Sequence, residues 1–148
     1  MAQTNIAQTI NGVTIRQANA SDIPTLESFI KQFVESGDLL PRTLDELEDL
    51  LGNFFIATDE EGEMVGCAAL EVYSKKLAEI RSLAVSPKAQ GRGVGKRLVK
   101  ICLDLAHEQS IFEVMAISAQ DDFFKACGFD YTLPRLRRAF FIQTRDEI

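Results

Sequence analysis

The sequence predicts one α/β (α+β) domain over residues 1–148, a mixed sheet flanked by helices. Two observations carry that expectation. Strand-like and helix-like runs follow one another as strand, two helices, three strands, helix, strand, helix, two strands, with no internal repeat and no low-complexity linker. A chain of 148 residues with 46% hydrophobic and 26% charged side chains is also long enough to bury one core and short enough to need only one.

Each element has a local reason. "GVTIRQA" reads as the first strand, and Ser21 or Asp22 can cap a helix running through Val34, with Ile23, Leu26, Ile30 and Phe33 at helical spacing and Pro24 tolerated in its first turn. Thr43 and Glu46 form a capping-box pattern that opens "TLDELEDLL", which Gly52 ends. "FFIAT", the turn "DEEGE" and "MVGCAALEVY" have the pattern of a hairpin, and "LAEIRSLAV" is a further strand. From Val94 to His107 the residues Val94, Leu98, Ile101, Cys102 and Leu105 make one apolar stripe. "IFEVMAI" is another strand, "QDDFFKAC" a short helix stopped by Gly128, and "FDYT" and "RRAFFIQT" close the chain as strands.

Charge narrows the function. The formal net charge is -6, from 16 Lys and Arg against 22 Asp and Glu, which argues against a broad nucleic-acid surface and makes the basic stretch at 88–100 stand out. Cys67, Cys102 and Cys127 are widely spaced among apolar neighbours, as expected of reduced buried thiols in a cytoplasmic protein rather than of disulfides or a metal site. The N-terminal "MAQTNIAQTINGV" has neither the basic start nor the apolar core of an export signal, and no apolar run has the length of a membrane span. His107 is the only histidine and falls near a helix end, where a terminal or surface role is the ordinary one, and "DEEGE" is too short for a calcium loop.

The stretch "SPKAQGRGVGKRLVK" places Gly91, Gly93 and Gly95 between a hydrophobic strand and the start of the longest helix, with Lys88, Arg92, Lys96, Arg97 and Lys100 around them. Exposed amides and the positive end of a helix attract anions, and glycine lets ligand oxygens approach the backbone. The plain alternative is a glycine turn on a solvated basic helix start. Residue 97 is Arg rather than Ser or Thr and position 90 is not Gly, so this is no Walker loop, and the third glycine comes too early for a dinucleotide fingerprint.

Gln90-Gly91-Arg92-Gly93-Val94-Gly95 resembles the pyrophosphate loop Q/R-x-x-G-x-G/A of the GNAT superfamily of N-acetyltransferases. "EIRSLAVSPKAQGRGVGKRLV" supplies the strand before and the helix after in that family's order, and "FFKACGF" resembles its late helix-turn-strand. The resemblance implies a mostly antiparallel sheet and acetyl-coenzyme A as co-substrate, without metal. It places the pyrophosphate on Gln90, Gly91, Arg92, Gly93, Val94, Gly95 and Lys96 and the pantetheine arm beside the backbone of Leu83 and Val85.

Acetyl transfer needs an amine freed of its proton and a stabilised thioester oxyanion. Unbroken alternation puts Leu77, Glu79, Arg81, Leu83 and Val85 on one face. By the resemblance Glu79 is the general base and an amide near a bulge at Leu83 faces the thioester oxygen; otherwise Glu79 is half of a structural ion pair or an edge residue in water. The tyrosine that many members carry four residues before the glycine of "GF" is here Phe124, which donates no proton and reads as core packing; Ser118, Tyr131 or solvent are the substitutes.

"LLPRTLDELEDLL", "GCAALEVYSKKLAEIRSLAV" and the glycine loop together resemble the short, single-domain N-acetylglutamate synthases of arginine biosynthesis. That likeness implies that Arg42 and Arg81, with Lys75 or Lys76 as further candidates, hold the carboxylates of a small-molecule substrate, and that the protein forms a homodimer. Arginine suits carboxylate because its fork donates two parallel hydrogen bonds. The plain alternatives are that Arg42 is a solvated residue between Pro41 and a helix cap and that Arg81 is the ion partner of Glu79. The tail "LPRLRRAFFIQTRDEI" departs from that family's tryptophan and paired cysteines, and Arg135, Arg137 or Arg138 could offer another contact. The alternatives are acetylation of another amine (polyamine, peptide or antibiotic), which an acidic pocket would favour, and a non-catalytic acyl-coenzyme A binding module, which Phe124 would favour.

Overall fold

The computed structural model describes residues 7–131 and 138–145. The chain divides into two compact units, residues 1–117 and 118–148.

The first unit is built on a six-stranded sheet in the order of the chain: β1 (Gln8–Ile10), β2 (Val13–Gln17), β3 (Phe54–Thr58), β4 (Met64–Val72), β5 (Leu77–Val85) and β6 (Glu113–Met115). Every neighbouring pair is antiparallel except β5 and β6, which are parallel. A parallel pair needs a crossover, and α3 (Val94–Glu108) provides it.

β1 lies outside the sequence expectation. It forms because Asn11 at φ 49 and Gly12 at φ 81 make a two-residue hairpin turn, the Asn-Gly signal being the strongest short-range one for a hairpin.

Two helices pack on one face of the sheet. In α1 (Ile23–Glu35) the side chains of Ile23, Leu26, Phe29 and Ile30 are buried, and in α2 (Leu44–Leu50) that of Leu47 is. They share a core with Phe54, Ile56, Cys67, Ala69 and Ala84. On the opposite face α3 packs over β4 and β5. Its Leu98 approaches Gly66, where an added Cβ would stand 3.4 Å from Leu98 Cδ1 and 3.3 Å from the Ala84 carbonyl oxygen. The glycine lets helix and sheet come close.

The caps differ from expectation at one helix and agree at the other. Ahead of α1, Asn19 rather than Ser21 or Asp22 provides the side-chain cap, opening a short 3₁₀ turn over Ala20–Asp22. The Asp22 carboxylate is engaged otherwise: it accepts the Asn19 amide at 2.8 Å and both Arg16 Nη atoms at 2.7 and 2.8 Å. At α2 both halves of the capping box form: the Glu46 amide donates to Thr43 Oγ1 at 3.1 Å and the Thr43 amide to Glu46 Oε1 at 2.9 Å. The helix ends at Leu50 and runs into a 3₁₀ turn through Asn53 rather than stopping at Gly52.

The second unit contains α4 (Asp121–Ala126), closed by Gly128 at φ 95. Phe124 packs edge-on against Phe123 and Phe129, with centroids 5.1 and 5.3 Å away.

The two closing strands are corrected within the described residues. Phe129 to Tyr131 and Arg138 to Thr144 form no strand, while Thr132 and Arg137 lie outside the described residues, as does Arg135. Phe140, Phe141 and Ile142 are exposed, so their strand-like composition meets no described partner. β-propensity expresses itself through cross-strand packing and not through composition alone. No helix among the described residues is long and apolar enough to cross a membrane.

Candidate functional site

β5 carries a break in register. Cys67 pairs with Ala84 and Ala69 with Arg81, so Ala68 alone faces both Ser82 and Leu83. This is a β-bulge, and Ser82 takes the left-handed conformation at φ 55 that side chains other than glycine seldom adopt. Two bonds hold it there: Arg42 Nε donates to Ser82 Oγ at 3.2 Å, and the Cys67 thiol to the Ser82 carbonyl at 3.1 Å.

The bulge corrects the expectation of unbroken alternation. Paired residues point to the same face, so Arg81 and Glu79, opposite Ala69 and Glu71, lie on the α1/α2 face. One extra residue reverses the sides, and Leu83 and Val85 lie on the α3 face. Polar groups and the end of the strand are thus presented on different sides of one backbone.

The polar cluster includes residues that the sequence reading passed over, Glu71 first among them. Glu71 Oε1 lies 3.3 Å from Arg42 Nη2 and 3.2 Å from Arg81 Nη1. Arg42 also reaches Glu46 Oε2 through Nη1 at 3.4 Å, and its side chain is only 4% exposed. The residue is therefore built into the cluster by Ser82, Glu46 and Glu71 and is no solvated surface arginine. Arg81 pairs with Glu71 rather than making its ion pair with Glu79, and its guanidinium is held above its ordinary pKa: burial works against the charge, but the fields of Glu79 and Glu71 outweigh it. A period-2 reading puts Glu71 on the same face of β4 as Cys67 and Ala69, and only the register across β4 and β5 shows that it stands opposite Glu79.

Glu79 is 8% exposed and accepts a 2.6 Å hydrogen bond from the Tyr73 hydroxyl. Burial first, and the neighbouring Glu79 carboxylate second, push the Tyr73 phenol up to about 12. Tyr73 is protonated at neutral pH and acts as a donor. Glu79 is also the last residue of β5 paired with β6, opposite Met115. Among the described residues no strand continues along that edge from Ile80 to Val85.

Past this edge the chain turns through Pro87–Ala89 into the glycine loop. Gly91 and Gly93 are both left-handed, at φ 83 and 79, and Gly93 is the N-cap of α3 without any side-chain cap bond. The first-turn amides of an α-helix have no partner inside it, so those of Val94, Gly95 and Lys96 are donors at the helix's positive end. Loop geometry, strand edge and donors together suit a diphosphate joined to an extended amide-bearing arm. Gln90 folds its side-chain amide onto the Val85 carbonyl at 3.2 Å, and Asn11 Nδ2 donates to the Arg92 carbonyl at 2.7 Å, tying β1–β2 to the loop.

The basic residues are less alike than their spacing suggests. Lys88 pairs with Glu63, and Arg92 lies 4.0 Å from Glu60, both in the acidic β3–β4 turn. Arg97 donates to Gln8 and Lys100 pairs with Asp104. Lys96 is exposed at the first turn of α3, with no ion partner among the described residues. Lys75 donates to the Gln109 carbonyl at the far end of α3. In the second unit the Tyr131 hydroxyl donates to the Asp121 carboxylate, and Ser118 Oγ accepts the Gln120 amide.

Comparison with known proteins bears on this geometry. The acetyltransferase (GNAT) family matches residues 22–129. An uncharacterized N-acetyltransferase of Chlorobaculum tepidum is 31% identical over 78% of this chain and 74% of its own. An amino-acid acetyltransferase of Neisseria meningitidis is 37% identical over 85% of this chain, which spans only 30% of that protein's length. Among solved structures, N-acetylglutamate synthase from Neisseria gonorrhoeae complexed with coenzyme A and N-acetyl-glutamate superposes with a TM-score of 0.69 at 37% identity, covering 77% of this chain and 27% of that one.

Proposed function

We propose a function for a chain that belongs to the acetyltransferase (GNAT) family: transfer of the acetyl group of acetyl-coenzyme A to the α-amino group of an amino acid, glutamate foremost, in the cytoplasm as part of arginine biosynthesis. That the chain is an acetyl-coenzyme A-dependent acyltransferase follows from the family and from its amino-acid acetyltransferase relatives. The family match runs through both compact units, which supports taking residues 1–148 as one acetyltransferase domain.

The observation that carries the choice of acceptor is the convergence of Arg42, Arg81 and Glu79 on one side of β4 and β5. Two guanidinium groups near a buried carboxylate suit an acceptor with both carboxylate and amine. In this reading the amides from Gln90 to Lys96 hold the pyrophosphate, and the backbone of Leu83 and Val85 meets the pantetheine arm. Acetyl-coenzyme A supplies the acetyl group as a thioester. Glu79 takes the proton of the acceptor's ammonium, with Tyr73 orienting the carboxylate. The freed nitrogen then forms the new C–N bond while the thioester C–S bond breaks and coenzyme A leaves as its thiolate, to be protonated by solvent. In the same reading the Leu83 amide, beside the bulge, donates to the carbonyl oxygen that gains charge.

A second reading has its own support: Glu46, Glu71 and Glu79 outnumber Arg42 and Arg81, which favours a cationic amine. The test is thiol release from acetyl-coenzyme A with L-glutamate, the other common amino acids and spermidine. Release dependent on an amino acid supports the first reading. Release with spermidine alone supports the second.

A further inference from the structure

The structure assigns Glu71 a specificity-determining role: it is a resident counter-ion between Arg42 and Arg81, with which an acceptor's carboxylate has to compete. The inference rests on the acetyltransferase reading and extends it from the class of acceptor to the residue that sets the pocket's preference.

Three observations converge. A single atom, Glu71 Oε1, stands within 3.3 Å of a nitrogen on each arginine, the position a substrate carboxylate would take if it bridged the pair. The arginines differ in freedom: Arg42 is fixed by Ser82 and Glu46 and its side chain is 4% exposed, whereas that of Arg81 is 27% exposed and that of Glu71 29%, so the shared contact lies where a small molecule can reach. Finally, Glu71 and Glu79 are direct cross-strand partners, which puts the counter-ion next to the proposed base.

Electrostatics gives the consequence. Glu46, Glu71 and Glu79 against Arg42 and Arg81 leave this cluster with one excess negative charge. A dicarboxylate entering it must displace or repel Glu71, while a neutral side-chain amide carries no such penalty. The wild-type chain therefore discriminates only weakly in favour of glutamate over glutamine. Removing the Glu71 charge leaves both guanidinium groups open to the acceptor and strengthens that discrimination.

The test is kcat/KM for L-glutamate and L-glutamine in the wild type and in Glu71→Gln, which keeps shape and one hydrogen-bond acceptor. Glu71→Met repeats it should the amide disturb folding. The expected result is a glutamate-to-glutamine ratio raised at least tenfold, carried by a lower KM for glutamate. An unchanged ratio, or equal losses for both acceptors, makes Glu71 a structural pair and overturns the proposal. Calorimetric binding of L-glutamate to the same variants separates this from failure of the amino-acid reading. If only spermidine is acetylated, that reading fails, yet tenfold tighter glutamate binding by Glu71→Gln still sustains the counter-ion role, and unchanged binding ends it.

Discussion

Arg42 and Glu79 show what one side chain decides. Arg42 has three named polar partners on three elements, so Arg42→Ala strips a guanidinium from a buried cluster and leaves Glu71 and Glu46 each short of a charge partner. Its expected effect is a rise in KM for glutamate corresponding to about 1.5–3 kcal/mol, with coenzyme A affinity unchanged in a direct binding measurement. Arg42→Lys should recover little, because one ammonium cannot reach Ser82, Glu46 and Glu71 together. Glu79→Gln retains the acceptor for Tyr73 but cannot take a proton, and turnover should fall by about 10²–10⁴-fold without loss of cofactor binding; a wild-type rate would reduce Glu79 to a structural role. In the sequence Glu79 drew attention as a carboxylate inside an apolar strand, and Arg42 and Arg81 through the family resemblance of their segments. Their wiring was not legible there: Glu71 and Tyr73 gain their meaning from cross-strand register and side-chain reach, which depend on how β4 and β5 align.

At the scale of elements, the glycine loop and α3 were the most legible feature, since glycine spacing and a 3.6-residue stripe are local signals. Gly93 at φ 79 caps α3 in a conformation that costs a residue with a Cβ about 1–2 kcal/mol. An added Cβ there would also stand 3.4 Å from Ile10 of β1. Gly93→Val should accordingly abolish coenzyme A binding in calorimetry while far-UV circular dichroism shows the fold retained; unchanged affinity would detach the loop from the cofactor. The bulge at Ser82 was not legible, because a single inserted residue leaves the apolar pattern of "LAEIRSLAV" intact and appears only when β4 is laid beside it. The last strands failed for the reciprocal reason: "RRAFFIQT" has the composition of a strand, but residues 138–144 find no pairing among the described residues. The Asn19 cap was missed because Asp22 and Ser21 are equally good capping types, and the choice was made by Arg16, which draws Asp22 away.

For the whole molecule, the fold class was legible because element order limits the arrangements of a mixed sheet, whereas the division into two units depends on contacts between distant segments. Stability should depend on pH from both sides. The bidentate Arg16 contact, against the effect of burial, holds Asp22 below its usual carboxylate pKa, so its contribution is present above about 3.9 and is lost as pH falls through the lower folded value. Burial raises the thiols of Cys67 and Cys102, the latter to about 12, so an unfolded chain whose thiols ionise near about 8.5 gains relative to the folded one as pH rises beyond that point. Urea unfolding from pH 2 to 10 should show both slopes, with Asp22→Asn flattening the acidic one and Cys102→Ala the alkaline one. The central claim, acetyl transfer to an amino acid, is tested most directly by competition. The protein is given limiting acetyl-coenzyme A and an equimolar mixture of the common amino acids, spermidine and putrescine, and the acetylated products are identified by mass spectrometry. The account predicts that the acetyl group appears on an α-amino nitrogen, with glutamate and glutamine the leading acceptors. Acetyl groups found only on polyamines, or on no acceptor while coenzyme A binds, would contradict it.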